Sequence, residues 1–403
     1  MTRSVLVSGG GIAGPSLAYW LGRSGYAVTV VERAPAPRTS GAGPVDFRGD
    51  QLDLLRRMDV LDDIRANETG MGDQQVIDAA GRRVSTFPSA LFSGEIEIER
   101  QDLARILYEH SVDTAEWVFG DHVTEVVDTA DGVDVTFAHG PARRFDLVVG
   151  ADGLHSGVRR LVFGDERPYR HDLGLSIAGF TMANTFGIDH GGLLYNEPGR
   201  LVMVTSGRDG ARAAVGLVCA ETVPDHDRND IEAEKRIVAR QFATAGWRVP
   251  SILDALRDTE ELYFDTLAQI RLDRWSTGRV VLLGDAAWCT GPGGNATGHA
   301  MLGAYTLAGE LAAAAGDHRV AFDRYERILR PLVAKSQHTA AGAARFLTPP
   351  TEAKIRSRNR LFRILSARAL AGPFRWVSTR TANSGALRDY PLPGTARPAG
   401  RQV

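Results

Sequence analysis

The residues best suited to chemistry in this 403-residue chain are glycines, acids and a few arginines that stand at the ends of apolar runs. In "SVLVSGGGIAGPSLAYWLGRSGYAVTVVER", Gly9, Gly11 and Gly14 form a GxGxxG pattern around Ile12 and Ala13. Three positions without side chains permit a tight turn, a close approach of backbone to a pyrophosphate, and a helix packed hard on its strand. Pro15 falls in the first helical turn, where its missing N–H costs nothing. The start of that helix then offers free N–H donors to phosphate. Glu32 ends the next apolar run, "AVTVVE", close to the roughly 20-residue spacing of an acid that grips ribose hydroxyls. The chemistry is dinucleotide binding, and this motif alone does not separate a nicotinamide from a flavin nucleotide.

Two more apolar runs end in acids. "FDLVVGADGLHSGVRR" carries Leu147 to Val149, then Asp152-Gly153, Ser156 and Arg159, and "GRVVLLGDAA" ends on Gly284-Asp285. A doubly wound sheet gathers such strand ends at one edge, where ligands bind, although any one Asp there is equally an ordinary helix cap. The loop after Asp285, "GDAAWCTGPGGNATGHAM", runs through Trp288, Pro292, Gly294, Asn295 and Ala296. Asn295 tolerates the left-handed backbone region, and Thr297 has the chemistry of a helix cap.

In this order the three motifs resemble those of the class A FAD-dependent aromatic hydroxylases, the group of para-hydroxybenzoate hydroxylase and the tetracycline-inactivating monooxygenases. The resemblance spans nearly the whole chain. It implies FAD as cofactor, NADPH or NADH as a transient reductant, O2, and a bulky aromatic or polycyclic, polyketide-like substrate hydroxylated through a flavin C4a-hydroperoxide. The lack of a second GxGxxG after a strand agrees with a reductant that binds only in passing. Carried over residue by residue, the resemblance makes Glu32 the ribose ligand, sets Arg33 beside the adenosine, and brings Arg100 to the ribityl or phosphate region. It places Asp46, with its neighbour Arg48, near the flavin. Asp152 falls in a motif shared by FAD and the nicotinamide nucleotide, and Gly284 and Asp285 hold the ribityl and phosphate region. Pro292, Gly294, Asn295 and Ala296 would turn the chain under the flavin ring. Trp288 stands where the family often has histidine, and an aromatic side chain there would pack behind the flavin. The stretch after Pro292 lacks a clean GxG and is about one residue short, so FAD binding with altered control of oxygen chemistry is expected. Baeyer–Villiger insertion, dehydrogenation, non-redox cyclisation and a non-catalytic flavin-binding role remain alternatives. No catalytic side chain is identified; His299 is a candidate base or a structural histidine, and His155 reads as local packing.

The elements that must position these residues point to an α/β fold. A Rossmann-like FAD-binding domain is expected over 1–71, 96–169 and 271–335, with an inserted, mostly antiparallel β-sheet substrate domain over 72–95 and 170–270. A C-terminal helical segment and tail fill 336–403. In "AGFTMAN", Ala178, Phe180, Met182 and Asn184 share one face, which with Met203 would roof a flat hydrophobic substrate. "DRNDIEAEKRIVARQFATAG" reads as a helix whose Glu232, Glu234, Lys235, Arg236 and Arg240 form a solvated face. Pro331 can kink or end a helix. "EAKIRSRNRLFRILSARALAGPFRWV" is basic and amphipathic; it could lie on a membrane surface, but packing on the protein with Leu361, Phe362, Ile364 and Leu365 inward is the expectation.

Composition bounds the partners. Lys+Arg 47 against Asp+Glu 49 gives a net charge of −2, so no global field attracts nucleic acid. No stretch reaches the roughly 18 apolar residues of a membrane span, and no basic n-region with a cleavage site opens the chain. A cytoplasmic protein with neither membrane nor obligate protein partner is expected. Cys219 and Cys289 are too few for a disulfide framework and lack metal-ligand spacing, so no metal is expected.

Overall fold

Val5, Leu6 and Val7 are fully buried, as in a parallel strand covered on both faces. They place β1 (Ser4–Ser8) inside a six-stranded sheet, in a computed structural model that describes residues 2–37, 43–89, 94–221, 223, 227–228, 230–291, 295–365 and 387–392. On one side of β1 lie β2 (Ala27–Glu32) and then β7 (Ala115–Phe119). On the other lie β11 (Leu147–Gly150), β18 (Val280–Leu282) and the antiparallel edge strand β17 (Ser276–Thr277). β1, β11 and β18 are neighbours and run parallel, so the three motif strands end side by side. A three-stranded sheet of β8 (Val123–Asp128), β9 (Val133–Phe137) and β10 (Arg143–Phe145) precedes β11.

α1 (Ala13–Arg23) and α9 (Ala296–Ala313) pack together over this sheet; Trp20 meets Tyr305 at 5.1 Å between ring centres. α9 is buried almost all round, which is why its sequence shows little amphipathic pattern. α10 (His318–Leu347) continues through Pro331 rather than ending there.

The second sheet has seven strands. Their order is β16 (Tyr263–Ile270), β12 (Arg170–Ala183), β15 (Arg212–Cys219), β14 (Arg200–Ser206), β13 (Gly191–Glu197), β4 (Gln74–Ile77) and β5 (Arg83–Phe87). All pairs are antiparallel except β13 with β4, which joins the early segment to the later one. A ribbon of β3 (Pro44–Phe47) and β6 (Ile96–Glu99) leads into α4 (Arg100–Glu109), and α2 (Asp50–Arg57) and α3 (Leu61–Ala66) follow β3.

Each face of the second sheet has its own fate. One is sealed by α6 (Ile231–Phe242) and α7 (Val249–Asp258), and holds Ala178, Phe180, Val204, Val215 and Phe264 in a buried cluster. The other is covered at one end by Phe346 of α10 and Phe362 of α11 (Glu352–Leu365). Beyond them Gly179, Met203, Thr205, Ala214, Gly216, Tyr263 and Asp265 stay partly or fully exposed.

This corrects four expectations. Phe180 and Met182 face the core beneath α6 and α7, so they are not a substrate roof. Asn184 pins a turn, its amide donating to the carbonyls of Ile188 at 2.7 Å and Gly210 at 2.8 Å. Of the residues expected on the substrate face, Met203 alone lies on the open one. Strand alternation identifies two faces, and only the helices laid on one of them decide which is core. Elsewhere, Glu234 and Lys235 are buried rather than solvated, with the Lys235 ammonium held by Glu232 at 2.8 Å and the Arg257 carbonyl at 3.1 Å. On α11 Phe362 points inward, whereas Leu361 and Ile364 are 53% and 58% exposed. Among the described residues no helix is long and apolar enough to cross a membrane.

Candidate active site

The glycine turn after β1 is sterically fixed. A Cβ on Gly14 would strike the carbonyl oxygen of Gly9, and one on Gly9, whose φ is +112°, would lie 2.5 Å from the carbonyl oxygen of Ala151. Gly11 differs, with no atom within 4 Å of where its Cβ would stand. Two glycines are therefore required by the protein itself, and the third borders open space that a phosphate can enter. Ile12 and Ala13 begin α1 beside this cradle. Glu32, 8% exposed, accepts from the backbone N–H of Gly10 at 2.6 Å and of Ala34 at 2.9 Å, so it braces the turn. Arg33 is exposed beside it.

Ser156 caps the helix that follows β11, its hydroxyl accepting from the Arg159 N–H at 2.9 Å, and Asp152 supports that cap. Asp152 accepts from the Ser156 hydroxyl and, at 3.0 Å, from the Val158 N–H at the start of α5 (Gly157–Phe163). Burial pushes its carboxyl above the usual range, against those hydrogen bonds. Its backbone, rather than its side chain, adjoins Gly9.

Arg159, three residues past Ser156, is 1% exposed and reaches across the sheet edge. It donates to the carbonyls of Ala286 at 2.9 Å and Leu154 at 2.7 Å, and to Glu166 at 2.9 Å. Burial lowers its pKa and the Glu166 carboxylate holds it up. The arginine of the DGxxSxxR run thus ties the second motif to the third, a role its spacing alone does not reveal.

Asp285 opens α8 (Asp285–Trp288) behind Gly284, whose φ is +66°. Burial pushes the Asp285 carboxyl up, opposed by the charge of Arg100, the exposed first residue of α4. Tyr263, on the open face of the second sheet, feels the same groups: burial raises its hydroxyl, Asp265 and Asp285 raise it further, and Arg100 lowers it. Its side chain is nevertheless 45% exposed. Tyr263 therefore stands within electrostatic reach of Arg100 and Asp285 while water still reaches it.

His155 reaches the same strand as Tyr263. One ring nitrogen, Nε2, lies 2.8 Å from Asp265 Oδ2, and Arg228 donates to the other, Nδ1, at 2.6 Å. Since arginine can only donate, Nε2 carries the proton toward Asp265. Expected as local packing, His155 instead links the second motif to β16. Tyr263 and Asp265 were not singled out in the sequence, although alternation in "LYFDTLAQIRL" sets them on one side of a strand.

The remaining candidates divide. Asp46 and Arg48 form an ion pair at 2.6 Å on and just after β3. Trp288, 2% exposed, sits in an aromatic cluster with Trp275 at 4.4 Å and Tyr325 at 5.8 Å. Pro292 and Gly294 lie outside the described residues. Asn295 adopts φ 53°, ψ 34°, the left-handed conformation, and precedes Ala296, the first residue of α9. Asn295 is the capping residue and Thr297 falls inside the helix, so the cap is set by backbone conformation, without a hydroxyl. His299 is 4% exposed, its Nδ1 has no partner, and burial pushes its pKa down to about 4. Such an imidazole is neutral at pH 7 and a weak base, which favours the structural reading of His299 over the catalytic one.

Residues 2–339 match the FAD binding domain family. An uncharacterised protein of Mycobacterium tuberculosis is 39% identical over 342 residues, 83% of this chain and 92% of that protein. A flavin-dependent monooxygenase from an unknown prokaryotic organism is 35% identical over 344 residues, covering 83% of this chain and 88% of its own length. Among solved structures, the tetracycline destructase Tet(51) superposes with a TM-score of 0.80 at 30% identity, over 97% of this chain and 100% of that one.

Proposed function

The chain belongs to the FAD-binding-domain family of flavin-dependent monooxygenases, and on that premise we propose that it hydroxylates a bulky aromatic or polycyclic small molecule, using O2 and NADPH or NADH. FAD is the cofactor and the reaction class is monooxygenation. The substrate class and the reductant are the proposed part, supported by the open face of the second sheet and by the tetracycline-acting structural relative.

The residues present fit FAD. The open space at Gly11 suits the pyrophosphate, with Gly9, Ile12, Ala13 and Gly14 shaping the turn and the α1 N-terminus supplying donors. Glu32 would exchange one backbone hydrogen bond for ribose hydroxyls, with Arg33 beside the adenosine. Arg100, Gly284 and Asp285 would hold the ribityl chain, and the backbone of Asp152 would close the turn at Gly9. Asp46 and Arg48 would flank the ring as a neutralised pair. Asn295 and Ala296 would lie beneath it.

When bound, the flavin, once reduced, supplies the activated oxygen that the protein alone cannot make. The chain's own residues bind, orient and tune. The N-terminus of α9 at Asn295 would favour negative charge on a flavin ring placed before it, by about 0.3–2 kcal/mol. On the second sheet, Gly179 pairs with Gly216, and Gly216 pairs with Met203. The end of the Met203 side chain lies over Gly216, 2.8 Å from where a Cβ would stand, so the low ground for a planar ring system is at Gly179 beside Tyr263. In this reading residues 1–71, 96–169 and 271–335 bind FAD, while 72–95 and 170–270 bind the substrate.

The observation that carries this reading is the side-by-side ending of β1, β11 and β18, with open space at Gly11. The test is NAD(P)H oxidation and oxygen uptake across a panel of phenolic and polycyclic compounds. A hydroxylase consumes both in step and forms a product one oxygen heavier; oxygen uptake with no such product from any compound would overturn the substrate class.

A further inference from the structure

α11 carries an outer surface that the flavin site does not use. Its inner side is committed to the second sheet. The Phe362 ring stands 4.5 Å from Phe87, the Arg358 guanidinium lies over the Phe87 and Phe346 rings at 5.3 and 5.4 Å, and the Asn359 carbonyl accepts from Ser85 at 3.1 Å. The outer side presents Leu361 and Ile364, one turn apart and the two most exposed large apolar side chains among the described residues. Lys354, Arg356 and Arg360 stand exposed around them, while Arg363, also exposed, donates to the Val84 carbonyl at 3.1 Å. Glu352, paired with Arg356 at 2.9 Å, is the one acid on the helix.

We propose that this outer face of α11 docks on an anionic lipid surface. The charge is local, because the chain as a whole carries −2. Cations ringing two exposed apolar side chains match what an interfacial helix needs: apolar groups to enter the acyl boundary and cations to meet anionic headgroups. A second copy fits poorly. Two like-charged faces would repel, and two apolar side chains fall far short of the roughly 800 Å² per partner of a stable interface. A spanning segment is a separate requirement, so its absence among the described helices does not bear on a peripheral contact. α11 also covers one end of the sheet face whose other end is open at Met203 and Tyr263. Docking there would bring that open end close to the lipid, where apolar polycyclic compounds partition.

The full chain, loaded with FAD, would be floated with vesicles of phosphatidylcholine alone and of phosphatidylcholine containing a quarter phosphatidylglycerol. Binding to the anionic vesicles only, reduced by salt, is expected. The double variant Leu361→Ser/Ile364→Ser and, separately, Arg360→Glu should each bind about tenfold more weakly or worse, with flavin absorbance and Tm unchanged. No binding by the unaltered chain, equal binding to both vesicle types, or equal binding by the variants would overturn the proposal. So would a concentration-dependent dimer that these substitutions abolish without any vesicle binding.

Discussion

Arg159 Nη1 donates to the carbonyl oxygen of Ala286 across 2.9 Å, and this one hydrogen bond joins the loops after β11 and β18. The same guanidinium reaches Leu154 and Glu166, so three acceptors depend on one buried cation. Replacing Arg159 with Ala should destabilise the protein by about 3–5 kcal/mol, because it removes a buried charge-assisted network. Replacement with Lys, which lacks the planar fork, should recover only part of that. Urea denaturation checks the stability, and an FAD titration should show weaker binding in both variants, since Ala286 follows Asp285.

Gly11 and Gly14 should respond oppositely to the same substitution. Gly14→Ala drives a methyl into the Gly9 carbonyl and should prevent folding. Gly11→Ala meets no atom of the protein and should fold with an unchanged Tm. It fills the cradle, however, and should weaken FAD binding at least about tenfold. FAD affinity in Gly11→Ala equal to that of the unaltered chain would mean the pyrophosphate does not lie there.

His299 gives a pH dependence with a definite sign. Its pKa falls from the ordinary 6.5 to about 4 on folding. Between those values the unfolded chain binds the proton and the folded chain does not, so stability is full above about pH 6.5 and is lost as pH falls toward 4. The loss amounts to about 3 kcal/mol. His299→Leu should flatten the urea midpoint over that window relative to the unaltered protein. Comparing the two isolates this group from Asp152 and Asp285, whose raised carboxyl pKa values act with the opposite sign.

The two faces of the second sheet should separate stability from turnover. Phe180→Ala, under α6 and α7, should cost about 3–5 kcal/mol and leave KM for the organic substrate unchanged in whatever folds. Tyr263→Ala, on the open face, should leave Tm nearly unchanged and raise that KM. A KM effect from Phe180 and none from Tyr263 would reverse the assignment of the faces.

The sequence was most legible where backbone geometry forces residue type. Gly9 and Gly14 cannot be anything larger, and the β1, β11 and β18 runs, buried on both faces, read as short apolar stretches. Legibility failed where a distant element decides. Phe180 and Met203 stand on alternating strands with the same apolar character, and only α6 and α7 make one face core. Tyr263 and Asp265 join the site through Arg100 and His155, which lie more than a hundred residues away in sequence. Leu361 and Ile364 satisfy the helical period but lie off the stripe that Phe362 commits to the sheet.

The central claim is that the cradle at Gly11, together with Arg100 and Asp285, holds a flavin ready for reduction. The most direct measurement is the visible absorption spectrum of the purified protein during titration with FAD, followed by anaerobic NADPH or NADH. Flavin bands should shift on binding in the unaltered chain and bleach on reduction, with the shift lost in Gly11→Ala. A colourless protein that takes up no FAD, or one that binds FAD equally well in Gly11→Ala, would contradict it.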